Sequence, residues 1–163
     1  MADYDEYTGR VSVTLSELSQ MVKVQKLMRE GAEKVHSQSK LKEHLESLGI
    51  TTGTFIAMFG KIPALKGLAG AAAIAYSIYS WVDNFVKPFR LEKLLRAAEA
   101  NLNDHLVWFS KNASKYKRIE FEAAYLEYFF GSATGTRESI RYMQQAAKID
   151  RIQLNDGTWM SAS

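Results

Sequence analysis

Apolar positions recur along most of this chain at helical spacing, and the exceptions lie at its two ends. Residues 1–13 open acidic and then alternate (Arg10-Val11-Ser12-Val13), which predicts an arm or short strand. Thr14 followed by Glu17 has the capping-box spacing, in which each side chain satisfies the other residue's free backbone N–H. The helix it opens carries Leu15, Leu18, Met21 or Val22, Gln25, Met28, Ala32 and Val35 on one face, until Ser37 to Ser39 interrupts it. Leu41, Leu45 and Leu48 form a second set, ended by Gly49 in the left-handed position that follows a helix. Thr51 to Thr54 reads as a loop, and Phe55 to Phe59 as a short apolar helix that Gly60 ends.

Pro63 suits the first turn of a long helix running to about Lys87, where Pro88 stops it. Within it, Gly67 to Val82 runs sixteen residues without a charge. Gly67, Ala71 and Ala75 recur every fourth residue and give a face with almost no side chain, open to close approach by another backbone. Ile74, Ile78, Val82 and Phe85 form a bulky stripe elsewhere on the same helix. A helix apolar nearly all round is expected to be buried on every side. Leu91, Leu95, Ala98, Leu102, Leu106 and Phe109 then mark an amphipathic helix.

Beyond a polar connection at Lys111 to Lys117, residues 118–130 read as a helix turning Phe121, Tyr125, Tyr128 and Phe129 inward, with Gly131 as its stop. Ser132 to Gly135 reads as a loop, and Thr136 caps a last helix through Ile149. In the tail, Asn155-Asp156-Gly157 is a tight-turn signal that could fold Gln153-Leu154 against Trp159. The fold class expected is therefore all-α, a bundle of about five to seven helices with short irregular or strand-like termini. Residues 1–50 would form an arm and amphipathic helix pair, and residues 51–163 a helical core domain around the apolar helix 63–87.

Composition sharpens this modestly. The chain has 163 residues, 47% hydrophobic and 24% charged, which is ordinary for one globular unit. Its net charge of +3 is too small for wholesale nucleic-acid binding. The basic excess is local, with eight Lys or Arg between Asn84 and Arg118. No cysteine is present, which excludes disulfides and thiolate metal sites. The N-terminus has no apolar core of the secretory type. At about 1.5 Å per residue the sixteen-residue run covers about 24 Å, short of the roughly 30 Å hydrocarbon core of a bilayer.

No constellation points to catalysis. Gly53, Gly60 and Lys61 imitate a phosphate loop with the wrong spacing, and Ile62 stands where a hydroxyl is needed. His36 and His44 lack the spacing of a zinc helix, and His105 stands alone. Glu120 and Glu122 would diverge on a helix, Glu127 lies further along, and no serine occupies a nucleophile elbow. Lys111, Lys115, Lys117 and Arg118 beside Trp108, Phe109 and Tyr116 can grip a phosphate backbone or seat at anionic headgroups. The plainer reading of the same stretch is a solvated turn with its aromatics facing the core.

Several spaced signposts run in order through the C-terminal two thirds. Pro63 precedes Gly67-Leu68 and a small-residue helix; Tyr76-x-x-Tyr79 follows, then Pro88 with Glu92 and Leu94. Tyr116, Phe129-x-Gly131, Ile140-Arg141 and Gln153-Leu154-Asn155-Asp156 complete the series. In this pattern the chain resembles the nucleocapsid surface-shell proteins of the cystoviruses, enveloped bacteriophages with segmented double-stranded RNA. The resemblance implies an α-helical subunit that assembles as homotrimers into an icosahedral shell around the inner polymerase-containing particle. It also implies residence in the virion nucleocapsid and, during assembly, the host cytoplasm, with the inner capsid protein and the lipid envelope as partners. A part in crossing the host membrane, calcium ions supporting the shell, and no sequence-specific nucleic-acid contact are implied as well. Gly67, Ala71, Ala75, Ile74 and Ile78 would then be subunit-packing residues, and Trp108, Lys111, Lys115, Lys117 and Arg118 headgroup contacts. A competing reading is a pore-forming protein that inserts residues 50–82 as a helical hairpin. A third is nucleic-acid binding through Lys111 to Arg118.

Overall fold

A computed structural model of the chain describes residues 3–33, 37–65, 67–84, 91–131 and 137–162. It overturns the all-α expectation: among the described residues five helices accompany a five-stranded antiparallel sheet and a separate two-stranded hairpin. Strand β1 (Asp3–Val13) leads through the capping box at Thr14 and Glu17 into α1 (Leu15–Ala32). Ser37 caps α2 (Gln38–Ser47), and Gly49 follows it with φ +59°. Thr51, expected in a loop, instead caps α3 (Thr52–Phe59), which Gly60 ends in the left-handed conformation.

The long helix expected from Pro63 does not begin there. Residues from Pro63 to Gly70 form a tight hairpin, β2 (Ala64–Leu65) against β3 (Leu68–Ala69), closed by a bond from Gly70 N–H to the Pro63 carbonyl. Gly67 and Gly70 adopt φ +78° and +57°, values that suit glycine and a turn, not a helix interior. Only α4 (Ala71–Asn84) remains of the apolar helix, and the expected stop at Pro88 lies outside the described residues. Helix α5 (Leu91–Lys111) follows, burying Leu91, Leu95, Ala98, Leu102 and Phe109 as its stripe requires.

The two C-terminal helices expected are strands. Residues 116–131 form β4 (Tyr116–Gly131) and residues 137–146 form β5 (Arg137–Ala146); the expected intervening loop and Thr136 cap lie outside the described residues. Strand β4 organises the sheet. Along one side it pairs with β1 in unbroken register from Asp3↔Phe129 to Val13↔Ile119. Its other side pairs β5 in the second half and β6 (Arg151–Leu154) in the first. β6 continues into the expected tail hairpin with β7 (Trp159–Ser161), joining Gln153 to Trp159 through a turn in which Gly157 has φ +95°. Because β1 completes the sheet of the C-terminal segment, residues 1–50 and 51–163 share one sheet and do not separate into an arm and a helical domain.

Burial follows strand logic in β4. Ile119, Phe121 and Ala123 are buried at period two together with Val11 and Val13 of β1. Tyr125 and Leu126, adjacent and pointing to opposite faces, are both buried, so the sheet is covered on both faces at that level. The Tyr125 hydroxyl donates to the Ala57 carbonyl of α3, whereas the neighbouring face meets α4, where Trp81 stands edge-on to Tyr128 at 4.9 Å and to Tyr142 at 6.1 Å. Opposite Ala124 and Tyr125 the β5 register slips by one residue at Gln144, a β-bulge of the kind that sharpens strand twist. Helices α1 and α5 pack together over the remaining core, where buried Gln25 donates to the carbonyls of Leu95 and Met143.

Candidate functional site

Two surfaces are chemically distinctive, one expected from the sequence and one not. The first lies where the end of α5 turns into β4. Trp108 and Tyr116 stack almost parallel, with centroids 5.6 Å apart and planes 10° off, and Trp108 keeps 37% of its surface exposed. The turn between them is pinned at Asn112, whose side chain donates to the Trp108 carbonyl and whose carbonyl accepts from Lys115 and Tyr116 N–H. Asn155 of the tail turn donates to the Ser114 carbonyl and braces the same loop. Lys111, Lys115 and Lys117 are exposed in the segment that joins or follows these two rings, and none makes an ion pair with a described residue. Arg118 does not join them. Its guanidinium donates to the Ser12 carbonyl 3.2 Å away and lies 3.7 Å from Glu17.

The other expected set is dispersed. Gly67 sits in the β2–β3 turn, so it shares no helix face with Ala71 and Ala75. Ile74, Ala75 and Ile78 are completely buried within this chain's own core, and Ala71 is half-buried. These buried side chains have no surface to offer a second copy. Helix α4 is tied to the sheet, where Ser80 meets the Tyr128 hydroxyl at 2.9 Å and Ser77 accepts from the Tyr142 hydroxyl at 2.7 Å. Among the described residues no helix is long and apolar enough to cross a membrane.

The second surface is a cleft of about 460 Å³ between the β1–β4–β5 part of the sheet and the loop from Phe59 to Leu65. Phe59, Ile62, Pro63, Leu65 and Ile140 give it an apolar wall. Tyr7 of β1, Glu127 of β4 and Ser139 and Arg141 of β5 converge on the other side. Tyr7 donates its hydroxyl to Glu127 Oε1 at 3.1 Å, and Ser139 donates to Oε2 at 2.6 Å. Burial, helped by the Glu127 charge and opposed by Arg141, pushes the Tyr7 hydroxyl above its ordinary value, so it stays protonated and able to donate.

Arg141 lies directly across from Glu127 in the strand register and acts on Tyr7, the phenol that donates to Glu127, without forming an ion pair with the carboxylate. Its guanidinium carbon sits 3.8 Å above the Tyr125 ring, and its nitrogens donate to the carbonyls of Met58 and Ile56 at the end of α3. Gly60 makes this possible, because a Cβ there would come within 3.3 Å of the guanidinium carbon. Burial raises the Tyr125 hydroxyl to about 12, so the ring beneath Arg141 stays neutral.

None of the four cleft residues was assigned a site role from the sequence. Read as a helix, residues 118–130 place Glu127 among solvated positions; only the strand register brings it opposite Arg141 and beside Tyr7. The same register corrects the reading of Glu120 and Glu122. On a strand they share a face, and Arg10 lies between them at 3.3 and 3.7 Å while gripping Asp150 with two bonds of 2.8 Å. That clamp joins β1, β4 and the 147–150 connection, and the Arg10 bonds hold the Asp150 carboxyl below its ordinary value. No cluster of three or more acidic or histidine side chains suited to a metal ion occurs among the described residues, so no calcium ligand can be named.

Compared with protein-family models, curated proteins and solved structures, the chain finds no match in any of the three.

Proposed function

We propose that this protein acts by docking, without catalysis, onto an anionic lipid surface through the face built by Trp108, Tyr116, Lys111, Lys115 and Lys117. The observation that carries this is the Trp108–Tyr116 stack, with Trp108 at the surface, in a segment whose three exposed lysines have no acidic partner among the described residues. An amphipathic ring system at headgroup level, flanked by mobile cations, is a general means of interfacial attachment.

Magnitude decides what kind of attachment this is. A basic side chain near an anionic leaflet contributes about 1 kcal/mol, so three lysines supply about 3 kcal/mol, a reversible contact for a single copy. Many copies on one scaffold would multiply so weak a contact into firm apposition. A subunit of a viral shell beneath an envelope, the role implied by the resemblance to cystovirus surface-shell proteins, is such a setting. That wider role rests on the spaced sequence signposts alone, and the helical fold they implied is replaced by a mixed one.

Co-sedimentation with phosphatidylglycerol-rich and with pure phosphatidylcholine vesicles tests the docking. Binding only to the anionic vesicles is expected, with about 100-fold loss when Lys111, Lys115 and Lys117 are all changed to Gln. Equal retention by both vesicle types, or full retention of the triple variant, would overturn it. Closed particles in electron micrographs of the purified protein would support the shell setting.

A further inference from the structure

We propose that the cleft between the 59–65 loop and the β1–β4–β5 part of the sheet is a binding site for a small primary amine with an apolar body. Its ammonium group would be accepted by Glu127. The site is distinct from the lipid-facing end: Lys117 and Glu127 are ten residues apart on β4, up to roughly 33 Å along the strand.

Three observations converge. The volume of about 460 Å³ falls within the range of about 300–1,000 Å³ usual for small-molecule sites. The apolar wall of Phe59, Pro63 and Leu65 is presented by a loop braced at both ends, by the α3 cap at Gly60 and by the hairpin bond between Gly70 and Pro63. Glu127 is held in a fixed orientation by two neutral hydroxyl donors, Tyr7 and Ser139, and has no cation within ion-pair distance among the described residues.

The last point is unusual, because a cross-strand arginine is available. Arg141 is instead committed to the carbonyls ending α3, where the helix dipole offsets its charge, and to the Tyr125 ring. Only one lone pair on each Glu127 oxygen is used by the hydroxyl donors, leaving acceptor capacity towards the cleft. Glu138 lines the cleft as well, and Arg141 and Lys61 are its cationic lining side chains, Lys61 at the exposed rim. A charge-assisted bond from an ammonium to Glu127 would complete the ion pair that the register leaves unmade. The apolar wall would receive the rest of the molecule.

The test is a set of three isosteric probes, phenethylamine, 2-phenylethanol and phenylacetate, titrated into the full chain with backbone amide shifts as the readout. Phenethylamine is expected to shift the amides of Tyr7, Glu127, Ser139 and Ile140 and to bind at least about tenfold more tightly than the alcohol. Glu127→Gln should remove that preference. Ile62→Trp, at an exposed lining position, should narrow the cleft and weaken all three probes, which guards against misfolding of the first variant. Equal or tighter binding of phenylacetate, or no shifts around the cleft with any probe, would overturn the proposal. Failure of vesicle binding would leave this result unaffected.

Discussion

The Cδ2 methyl of Leu41 occupies the space above Gly31, where a Cβ on the glycine would come within 2.5 Å of it. Gly31 lies in the last turn of α1 and Leu41 is fully buried in α2, so the missing side chain sets how closely these helices meet. Alanine at position 31 would gain about 1 kcal/mol of helix propensity and lose about 1–3 kcal/mol to overpacking. Gly31→Ala is therefore expected to destabilise by about 1 kcal/mol in urea unfolding. In a Leu41→Ala background the clash is gone, and the same substitution should become stabilising. An unchanged sign in that background would show that the contact does not set the spacing.

Ser77 and Tyr142 should respond unequally to loss of their shared bond. The Tyr142 hydroxyl donates to Ser77 Oγ at 2.7 Å, and Ser77 donates in turn to the Ile74 carbonyl at 2.9 Å. Ser77→Ala leaves a wholly buried phenol without its acceptor, at a cost of about 1–3 kcal/mol. Tyr142→Phe removes both the donor and its need, and should cost only about 1 kcal/mol. The double variant should be about as stable as Tyr142→Phe alone. Chemical denaturation of the three proteins checks this order.

His105 makes stability depend on pH near neutrality. Its Nε2 lies 2.7 Å from the Ala147 carbonyl and its ring packs on Phe121 at 4.9 Å. Burial lowers its pKa below the ordinary 6.5, outweighing the carbonyl bond and the charge of Asp104. The unfolded chain then binds the proton more readily, so the contribution is fully present above pH 6.5 and lost as pH falls through the folded value. Unfolding midpoints should drop as pH is lowered from neutrality through this window. His105→Gln, which keeps a donor for Ala147, should flatten that slope; an identical slope in the variant would place the effect elsewhere.

Gln25 is the buried polar link between helices and sheet. Its amide nitrogen reaches Leu95 O at 3.2 Å and Met143 O at 2.8 Å, beside the β5 bulge. Gln25→Met preserves volume and leaves a strand carbonyl without this donor, so a loss of about 1–3 kcal/mol is expected. Hydrogen exchange should also quicken locally around Met143, whereas a purely global change would indicate a packing effect alone.

The sequence made the N-terminal helices and α5 legible because their apolar residues fall at helical intervals and their caps are local chemistry. Thr14 with Glu17, Gly49, Gly60 and the Asn155-Asp156-Gly157 turn all act within a few residues of themselves. β4 and β5 were misread for a physical reason. Phe121, Tyr125, Tyr128 and Phe129 satisfy helical spacing, yet Ile119, Phe121, Ala123 and Tyr125 satisfy period two equally well. Glu, Gln, Arg and Ala in residues 137–146 favour helix locally, and pairing with β4 overrides that preference. The aromatic content of residues 116–130 is the available strand signal. Glycine and alanine in residues 67–75 look alike in composition but diverge in structure, since Gly67 and Gly70 take turn conformations before Ala71 starts the helix. The cleft was invisible for the same reason as β4, since its polar residues meet only across strands.

The pairing of Asp3–Val13 with a strand more than a hundred residues later has a consequence for synthesis on the ribosome. Until residues 116–131 emerge, β1 lacks the strand it pairs with, while the helices between can already form. A nascent or truncated chain ending at α5 would carry an eleven-residue unpaired ribbon rich in Tyr and Val, a template for aggregation. Emergence of β4, rather than helix formation, is thus the step at which this fold becomes safe, and the folding rate should track closure of that long loop.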